Sequence, residues 1–314
     1  MRAFSIPMRT RFRGLSRRDG ALVQGPAGWG EFSPFAEYGP AEAARWLAAA
    51  REAAFESWPP PLRKWIPVNV TVAALEPDRA RQVVLASGGC RTAKVKVAER
   101  GQTDAEDVAR VEAVRDALGP SGRVRIDANG GWDVDRAVRM IRLLDRFDLE
   151  YVEQPCASVE ELARVRRRVS VPVAADESIR RAADPLRIRD ARAADIAVLK
   201  VQPLGGVAGA LRVAQAIGLP VVVSSAVETS IGLAAGLALA AALPELPHAC
   251  GLATLSLLDG DVVADPLVVV DGRIEVRRPV VDERALARFE TDPGPWRRRA
   301  EAAARAGQPP GGDR

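Results

Sequence analysis

The middle of the chain repeats one local pattern, in which a short apolar strand ends in an ionisable or polar residue and a helical pattern follows. The strand ends fall, in chain order, at Lys96, Asp127, Glu153, Asp176, Lys200 and Ser224. Repetition of strand and helix produces a parallel sheet, and about seven such units favour a closed barrel over an open sheet. No GxGxxG motif follows the first strand, so a dinucleotide-binding sheet is the weaker alternative. We therefore predict an α/β barrel.

The residues that flank this repeat have a different pattern. Residues 1 to about 35 alternate as antiparallel strands, and the polar, glycine-bounded segment 13–20 between two of them is predicted to be a mobile loop. After the repeat, residues 267–276 indicate a hairpin, which we expect to pack on the N-terminal strands. The tail from about residue 301 is rich in Ala, Arg, Gly and Pro and is predicted to be disordered.

Composition and charge disfavour several classes of function. The 314-residue chain is 47% hydrophobic and 27% charged, which is ordinary for a globular protein, and its net charge is only +4. It has no basic stripe interleaved with aromatic residues, so we do not predict nucleic acid as a partner. The mild positive balance suits a small anionic substrate. No protein partner is predicted.

Cysteine usage and hydropathy bear on the compartment. The three cysteines, Cys90, Cys156 and Cys250, are far apart and lack CxxC spacing, which argues for a reducing compartment and against a disulfide framework or a zinc site. The first residues lack the apolar segment of a signal peptide. The longest apolar run, residues 231–243, is too short to span a bilayer. We therefore expect a cytoplasmic protein that does not bind membranes.

Three acids end neighbouring strands of the predicted barrel. Asp127, Glu153 and Asp176 should converge at the face formed by the C-terminal ends of the strands. Three carboxylates cannot sit together unpaired, because mutual repulsion would protonate them. A hard divalent cation resolves the repulsion, and an all-oxygen site suits Mg²⁺, with Mn²⁺ as a possible substitute. Only one histidine is present, which excludes a site built on several histidines. The alternative is that arginines neutralise the acids.

Three lysines are candidates for proton chemistry. Lys94 and Lys96 share one face of their strand, because side chains alternate with period two; the alternative is a solvated pair on an edge strand. Lys200 ends the strand after Asp176, roughly across the barrel. A buried lysine beside a cation can be neutral near pH 7 and act as a general base. Together with a metal that holds a carboxylate and stabilises the enediolate, such a base could remove an α-proton.

Five ordered motifs resemble the enolase superfamily, in its muconate-lactonizing subgroup. They are Lys94 with Lys96, Asp127 with Asn129, Glu153 with Gln154 and Pro155, Asp176 with Glu177 and Ser178, and Lys200. The resemblance covers about residues 28–251. It implies a (β/α)7β TIM-like barrel with an α+β capping domain built from both ends of the chain. On this basis we assign residues 1–88 and 259–300 to the capping domain, 89–258 to the barrel and 301–314 to a disordered tail.

Further stretches resemble the o-succinylbenzoate synthase family within that subgroup. They are GWGEFSP at residues 28–34, VRIDAN at 124–129 and SSAVETS at 224–230. The resemblance implies a lyase of menaquinone biosynthesis. Its Mg²⁺-dependent reaction would be the syn dehydration of 2-succinyl-6-hydroxy-2,4-cyclohexadiene-1-carboxylate to 2-succinylbenzoate, through α-proton abstraction and an enediolate intermediate.

The same resemblance implies a role for each candidate residue. Lys96 would take the α-proton and then assist loss of the hydroxyl on the same face. Lys200 would stabilise the enediolate from the opposite face, and Lys94 would assist Lys96 and the carboxylate. The other expected site residues are the metal ligands Asp127, Glu153 and Asp176, the neighbouring Asn129 and Glu177, and the substrate-lining Ser224 and Gly251, with the 13–20 loop closing above.

Arg125 shares strand parity with Asp127 and should also point into the barrel. A buried arginine needs a partner, and two interpretations stay open at this point. Arg125 could bind the substrate, or it could form an ion pair within the barrel core. We include it among the candidate substrate-binding residues.

Other functions remain compatible with parts of the pattern. Both Lys96 and Lys200 are present, so racemisation of N-succinylamino acids or epimerisation of dipeptides is chemically available; no Asp-x-Asp motif occurs at residues 251–254, which disfavours epimerisation. A Schiff-base aldolase using Lys200 would leave the three acids unexplained. A non-catalytic scaffold would be expected to have lost at least one of the catalytic positions, and none is lost.

Overall fold

A computed structural model describes residues 1–12, 14–182 and 184–307. Within these ranges the strands are β1 (Arg2–Phe12), β2 (Leu15–Gly25), β3 (Gly28–Phe32), β4 (Trp65–Pro67), β5 (Val70–Val72), β6 (Thr92–Lys96), β7 (Arg123–Asp127), β8 (Leu149–Glu153), β9 (Val173–Ala175), β10 (Ile196–Leu199), β11 (Val221–Val223), β12 (Arg273–Glu275) and β13 (Glu290–Thr291). The α-helices are α1 (Pro40–Phe55), α2 (Pro77–Leu85), α3 (Asp104–Leu118), α4 (Val134–Leu144), α5 (Val159–Arg166), α6 (Glu177–Arg180), α7 (Arg187–Asp190), α8 (Val207–Ile217), α9 (Ser230–Ala242), α10 (Glu283–Ala287) and α11 (Gly294–Ala306).

Strands β5 to β11 form one parallel sheet in chain order, and this sheet closes into a barrel. The closing position is taken by Cys250 and Gly251, which form single parallel bridges to Val68, just before β5, and to Ser224, just after β11. The strands are buried along nearly their whole length because helices cover the outer face. The predicted (β/α)7β TIM-like barrel is confirmed, with its last strand reduced to one bridged pair of residues.

Local sequence signals set the start of two barrel helices. Thr103 and Ser158 precede α3 and α5, and the side chain of each accepts a hydrogen bond from the backbone N–H of a glutamate three residues later. The glutamate side chain accepts a hydrogen bond from the backbone N–H of the capping residue in return. This capping box satisfies N–H groups that would lack partners at the helix end. No helix within the described ranges is long and apolar enough to cross a membrane.

The cap, formed by β1–β3, α1, β13 and α11, joins both ends of the chain. Its strands form an antiparallel sheet in the order β13-β1-β2-β3, with α1 packed on β2 and β3 and α11 packed on α1. The buried face of α1 carries Ala43, Trp46, Leu47 and Ala50, which have the spacing of one helical face. The predicted α+β capping domain, with contributions from both termini, is confirmed.

The segment predicted to be a mobile loop is part of a strand. Residues 15–20 belong to β2 and pair with β1, for example Ile6 with Arg18, while Arg13 lies outside the described residues. The prediction was wrong because contacts distant in sequence hold this polar stretch. Arg18 is only 2% exposed and donates hydrogen bonds to the backbone oxygens of Ser33 and Val227.

The predicted limits of the barrel and the tail also require correction. Strand β5 pairs with β6 in the barrel sheet, so the expected boundary at residue 89 falls inside the barrel. Helix α11 continues to Ala306, and residues 301–306 are therefore helical where disorder was predicted. The helix is retained because Ala300 and Ala303 are buried in one cluster with Trp46 of α1. Residues 308–314 lie outside the described residues.

The hairpin predicted at residues 267–276 packs in a different place from the one expected. Its strand β12 pairs with β4 in a separate two-stranded antiparallel sheet and not with the N-terminal strands. Strand β4 leads directly into β5, so this small sheet lies at the start of the barrel. The return to the cap is made later in the chain, where β13 pairs with β1.

Candidate active site

The strand-ending side chains predicted from the sequence meet at one end of the barrel. Lys96, Asp127 and Glu153 are register partners at the C-terminal ends of β6, β7 and β8. Asp176 and Lys200 come directly after β9 and β10. All five are at most 7% exposed. Because parallel strands end at the same edge of a sheet, this end of the barrel carries a buried cluster of opposite charges.

Two lysines of β6 contact the acids of the next two strands. The Lys94 ammonium lies 2.9 Å from Glu153 Oε1 and 3.5 Å from Asp127 Oδ2. Lys96 Nζ donates to Asp127 Oδ2 at 2.5 Å and to the side-chain oxygen of Asn129 at 2.6 Å. Both lysines point into the barrel, as predicted from their spacing. The alternative of a solvated lysine pair on an edge strand does not apply.

The opposite wall of the cluster is built around Asp176. Lys200 Nζ donates to Asp176 Oδ2 at 2.7 Å, and Arg180 Nε donates to Asp176 Oδ1 at 3.0 Å. Arg180 also donates to Glu177 Oε1 at 2.5 Å and to the Tyr38 hydroxyl. The alternative in which arginine neutralises the acids is therefore realised in part, at Asp176.

Arg180 and Tyr38 were not among the residues predicted from the sequence. A signal for Arg180 exists, because it lies four residues after Asp176 and side chains at this spacing meet on a helix. Tyr38 carries no local signal, since it comes from the loop between β3 and α1, 142 residues away from Arg180 in sequence.

The acids of the cluster differ in how well their charge is compensated. Burial raises the pKa of Glu153 to about 7, and the charges of Asp127 and Asp176 act in the same direction. Burial also disfavours ionised Asp127, but Lys96 and Lys94 outweigh it and hold the pKa of Asp127 well below its usual value. Glu153 is therefore the position at which additional positive charge would be most favourable.

The three predicted metal ligands are close to one another but are paired with lysines. In residues 1–12, 14–182 and 184–307, no group of three or more His, Cys, Asp or Glu side chains is arranged so that it could hold a metal ion. The Lys94 ammonium lies within 3.5 Å of both Asp127 and Glu153, so these two carboxylates already share one cation. Buried carboxylates held at rigid strand ends are the donor type that Mg²⁺ prefers. Asp127, Glu153 and Asp176 fit a hard divalent cation in chemistry.

Gln154 fixes the loop that carries Asp176. Its backbone is in the left-handed region, with φ 41°, and its side chain is fully buried. The side-chain oxygen accepts hydrogen bonds from the backbone N–H groups of Asp176 and Ser178 at 3.1 and 3.2 Å. The side-chain nitrogen donates to the Ser178 hydroxyl at 2.7 Å. Gln154 thereby connects the end of β8 to the start of α6.

Asn129 and Glu177 lie at the edge of the cluster, as expected. The Asn129 side-chain nitrogen donates to Glu177 Oε1 at 3.1 Å, and its backbone N–H donates to Asp127 Oδ1 at 3.0 Å. Glu177 Oε2 is buried and has no hydrogen-bond partner among the described residues. The two side chains thus link the β7 end to the start of α6 and leave one buried acceptor oxygen available.

Arg125, one of the predicted substrate-binding residues, lies below the cluster and contacts residues of the barrel core. It is in register with Lys94 and Tyr151, one inward-facing layer before Asp127. Its guanidinium lies 2.5 Å from Glu150 Oε2 and 4.7 Å from the centre of the Tyr151 ring. These contacts favour the other interpretation, in which Arg125 forms an ion pair in the barrel core.

Ser224 and Gly251 are brought together where the barrel closes. The Ser224 hydroxyl lies 3.4 Å from the backbone oxygen of Gly251. A Cβ at residue 251 would lie 2.5 Å from Ser224 Oγ, so a larger residue there would displace the Ser224 hydroxyl. Both residues lie at the same end of the barrel as Lys200.

The end of β1 brings the cap to the cluster. The Phe12 ring, at the end of β1, is 6% exposed, and its centre lies 5.1 Å from Lys96 Nζ. This contact was not predicted from the sequence. The aromatic face therefore covers the end of the Lys96 side chain.

The chain matches two families that together describe its cap and its barrel. Residues 77–280 match the family "Enolase C-terminal domain-like", and residues 3–54 match the family "Enolase N-terminal domain-like". The crystal structure of muconate lactonizing enzyme from Pseudomonas fluorescens has a TM-score of 0.79 and covers 92% of this chain and 97% of that chain. At 22% identity, this likeness concerns the fold alone.

Two relatives are similar over nearly their whole length. The o-succinylbenzoate synthase of Thermobifida fusca is 72% identical over 302 residues, which are 96% of this chain and 95% of that protein. The o-succinylbenzoate synthase of Mycolicibacterium smegmatis is 57% identical, over 90% of this chain and 87% of that protein. The chain therefore belongs to the enolase superfamily and, within it, to the o-succinylbenzoate synthase family.

Proposed function

We propose that this protein is a hydro-lyase that converts 2-succinyl-6-hydroxy-2,4-cyclohexadiene-1-carboxylate into 2-succinylbenzoate by syn loss of water, a step of menaquinone biosynthesis. The observation that carries the proposal is the placement of Lys96 and Lys200. They end β6 and β10, which lie on opposite sides of the closed barrel, and both contact the same cluster of carboxylates. Membership of the synthase family supports the choice of substrate.

We propose that Asp127, Glu153 and Asp176 hold a divalent metal, as in other members of the superfamily, and that the metal is Mg²⁺ with Mn²⁺ as a substitute. When bound, the metal would supply positive charge to the substrate carboxylate as the α-proton is removed. The raised pKa of Glu153, caused by burial and the neighbouring acids, supports a need for more positive charge in this cluster.

Lys96 would transfer the proton. As a free amine, it would remove the proton from the carbon that bears the carboxylate, giving an enediolate. When the electron pair returns to the ring and forms the new double bond, the hydroxyl on the adjacent carbon leaves. The Lys96 ammonium would donate its proton to that hydroxyl, so that water departs from the same face. Asp127 and Asn129, which bond Lys96 Nζ, would orient it.

The other two lysines would act mainly by charge. Lys200, on the opposite wall, would stabilise the enediolate electrostatically. Lys94 is unsuited to proton removal. Burial disfavours its ammonium form, but Glu153 and Asp127 outweigh burial and raise its pKa above the usual value. We propose that Lys94 acts as a cation that assists Lys96 and the substrate carboxylate.

Substrate contacts would come from residues around the cluster. Asn129, Ser224 and Gly251 are proposed to line the substrate, and Phe12 of the cap would cover Lys96 and exclude water from it. Arg125 is not included, because its partners belong to the barrel core. The site is buried and rich in cations, which is consistent with a small anionic substrate. A reducing, cytoplasmic location remains a prediction, supported by the three buried, unpaired cysteines.

Racemisation of N-succinylamino acids is the second candidate, because a base is available on each face. Both reactions begin with removal of a proton α to a carboxylate, and they differ in the fate of the resulting enediolate. Dehydration needs a leaving hydroxyl and one base, whereas racemisation needs proton return from the opposite lysine.

An assay of the purified protein with Mg²⁺ separates these functions. We expect rapid dehydration of the cyclohexadiene substrate, which is monitored by its change in absorbance. The dehydration rate should fall by at least about 100-fold in Lys96→Ala and in Lys200→Ala. Parallel samples would contain N-succinylamino acids in deuterated water. Exchange of deuterium at the α-carbon without any dehydration would support removal of an α-proton but would indicate that the substrate is an N-succinylamino acid. Inactivity in both assays would contradict the proposed function.

A further inference from the structure

We infer that Arg180 is a positioning residue that connects the cap, through Tyr38, to the proposed metal ligand Asp176. The inference rests on the metal site proposed above and adds a residue pair that determines how firmly that site is held. Arg180 is not expected to contact the substrate. It acts through the carboxylates that it bonds.

All of the contacts of Arg180 point to a fixed orientation. Its side chain is 1% exposed. Nε lies 3.0 Å from Asp176 Oδ1, one terminal nitrogen lies 2.5 Å from Glu177 Oε1, and the other donates to the Tyr38 hydroxyl. Each of its three nitrogen atoms therefore has an acceptor. A planar guanidinium with partners on three sides cannot turn without losing at least one of these hydrogen bonds.

Asp176 is consequently held from both sides. One carboxylate oxygen accepts from Arg180 and the other from Lys200 at 2.7 Å. If Lys200 is occupied with the substrate, Arg180 remains as the contact that fixes the rotation of the carboxylate. The charge of Arg180 alone would repel a divalent cation, but Glu177 lies directly beside it and compensates that charge. Orientation is therefore the larger effect of Arg180 on metal binding.

Tyr38 makes this arrangement depend on the cap. It lies between β3 and α1, is 5% exposed and packs edge-on against Phe35 and Trp46, with ring centres 5.6 and 5.9 Å away. Its hydroxyl is thus positioned by the core of the cap. Arg45 of α1 also contacts the same part of the barrel, by donating to the backbone oxygen of Ala182 at 3.1 Å. The cap and the proposed metal ligand share one chain of hydrogen bonds.

The test is calorimetric titration of Mg²⁺ into metal-free full-length protein, which needs no substrate. We expect Arg180→Lys to weaken Mg²⁺ binding by about 10- to 100-fold, the usual effect of removing a partner that orients a metal ligand. Tyr38→Phe keeps the ring packing and removes one hydroxyl, so we expect a smaller loss of about three- to tenfold. If Tyr38 acts through Arg180, the double variant should bind no more weakly than Arg180→Lys alone.

Arg181→Lys is the matched control. Arg181 is the next residue, pairs with Glu42 and lies over the outer face of the Tyr38 ring, but it does not bond Asp176. It should bind Mg²⁺ like the wild type. Thermal unfolding of each metal-free variant checks that it is folded. If Arg180→Lys does not fold, Tyr38→Phe tests the inference in its place.

The outcomes separate this inference from the proposed function. Undiminished affinity in folded Arg180→Lys, or an equal loss in Arg181→Lys, would overturn the role of Arg180 and leave the metal site intact. Additive losses in the double variant would overturn the connection through Tyr38. A wild-type protein that binds no Mg²⁺ would remove the metal site itself and this inference with it.

Discussion

Lys94 and Lys200 illustrate how neighbouring residues decide the charge of a buried amine. Burial disfavours the ammonium form of both. At Lys94, the charges of Glu153 and Asp127 outweigh burial and raise the pKa. At Lys200, where Asp176 is the carboxylate in contact, burial prevails and the pKa is lowered. Lys94 therefore has two carboxylates in contact, whereas Lys200 has one, and the neighbouring charges of Arg180 and Lys94 also disfavour the ammonium form of Lys200.

At the same scale, Gln154 should contribute to stability through its buried hydrogen bonds. Gln154→Ala would leave the buried N–H groups of Asp176 and Ser178 without their side-chain acceptor. We expect the free energy of unfolding to fall by about 1–3 kcal/mol, measured by urea denaturation. Gln24→Ala, at an exposed position of β2, is the control and should change little. Equal stability of the two variants would contradict this role of Gln154.

At the scale of elements, Glu31 joins the cap to helix α9. Its carboxylate accepts from the hydroxyls of Ser33 and Thr229 at 2.6 and 2.5 Å, and it is only 2% exposed. Burial and the charge of Glu228 raise the pKa of Glu31 to about 7, and Arg18 opposes them. The folded protein therefore favours the protonated form of Glu31 more strongly than the unfolded chain does.

This junction predicts a pH dependence of stability. As the pH rises from about 4.5 to about 7, the unfolded chain loses the Glu31 proton while the folded protein keeps it. The contribution of Glu31 to the free energy of unfolding should therefore fall, by about 3 kcal/mol at full effect. Glu31→Gln cannot ionise, so the advantage of the wild type over this variant should shrink as the pH rises through this range.

Urea denaturation at about pH 5 and about pH 8 measures the difference. Glu301→Gln, at an exposed position of α11, controls for the general effect of removing a glutamate. The prediction would be wrong if the difference between the wild type and Glu31→Gln were the same at both pH values, because the Glu31 carboxyl would then have its ordinary pKa in the folded protein.

At the scale of the whole molecule, the barrel supplies the charged groups and the cap encloses them. The acids and lysines come from five consecutive barrel strands. From the cap, Phe12 contacts Lys96 and the Tyr38 hydroxyl accepts a hydrogen bond from Arg180. Both termini contribute to that cap, through β1 and β13 and through the packing of α11 on α1. Ligand binding at the cluster should consequently stabilise the fold as a unit.

Mg²⁺ should therefore raise the thermal unfolding midpoint of the intact protein. At a concentration of about 100 times the dissociation constant, a ligand that binds only the folded state adds about 2.7 kcal/mol. A double variant, Asp127→Asn with Glu153→Gln, should lose most of the shift. NaCl at matched ionic strength controls for screening. An undiminished Mg²⁺ shift in the double variant would place the metal elsewhere.

Much of the site could be predicted because its signals are local. Ionisable residues such as Asp127 and Glu153 end their strands and can be recognised in the sequence. Because parallel strands end at the same edge of the sheet, these residues must lie close together. The features that could not be predicted depend on contacts distant in sequence. The strand that contains Arg18 is held by Val227, and Tyr38 meets Arg180 across the boundary between cap and barrel. These partners become neighbours only in the folded chain.

Arg125 shows the same limit for a residue whose orientation was predicted correctly. Because Arg125 and Asp127 are two residues apart on one strand, the sequence predicted that Arg125 points into the barrel. The sequence did not predict which group it would contact there. Glu150, at the start of β8, lies 2.5 Å from the guanidinium, and this contact favours the ion pair over a substrate contact. Strand parity gives the direction of a side chain, and the neighbouring strand decides what it meets.

The most direct test of the central claim is a crystal structure of the protein with Mg²⁺ and 2-succinylbenzoate. We predict that Asp127, Glu153 and Asp176 bind the metal, that the carboxylate on the aromatic ring faces it, and that Lys96 and Lys200 lie on opposite faces of the ring. A product bound elsewhere, or both lysines on one face, would contradict the proposed mechanism even if the fold were unchanged.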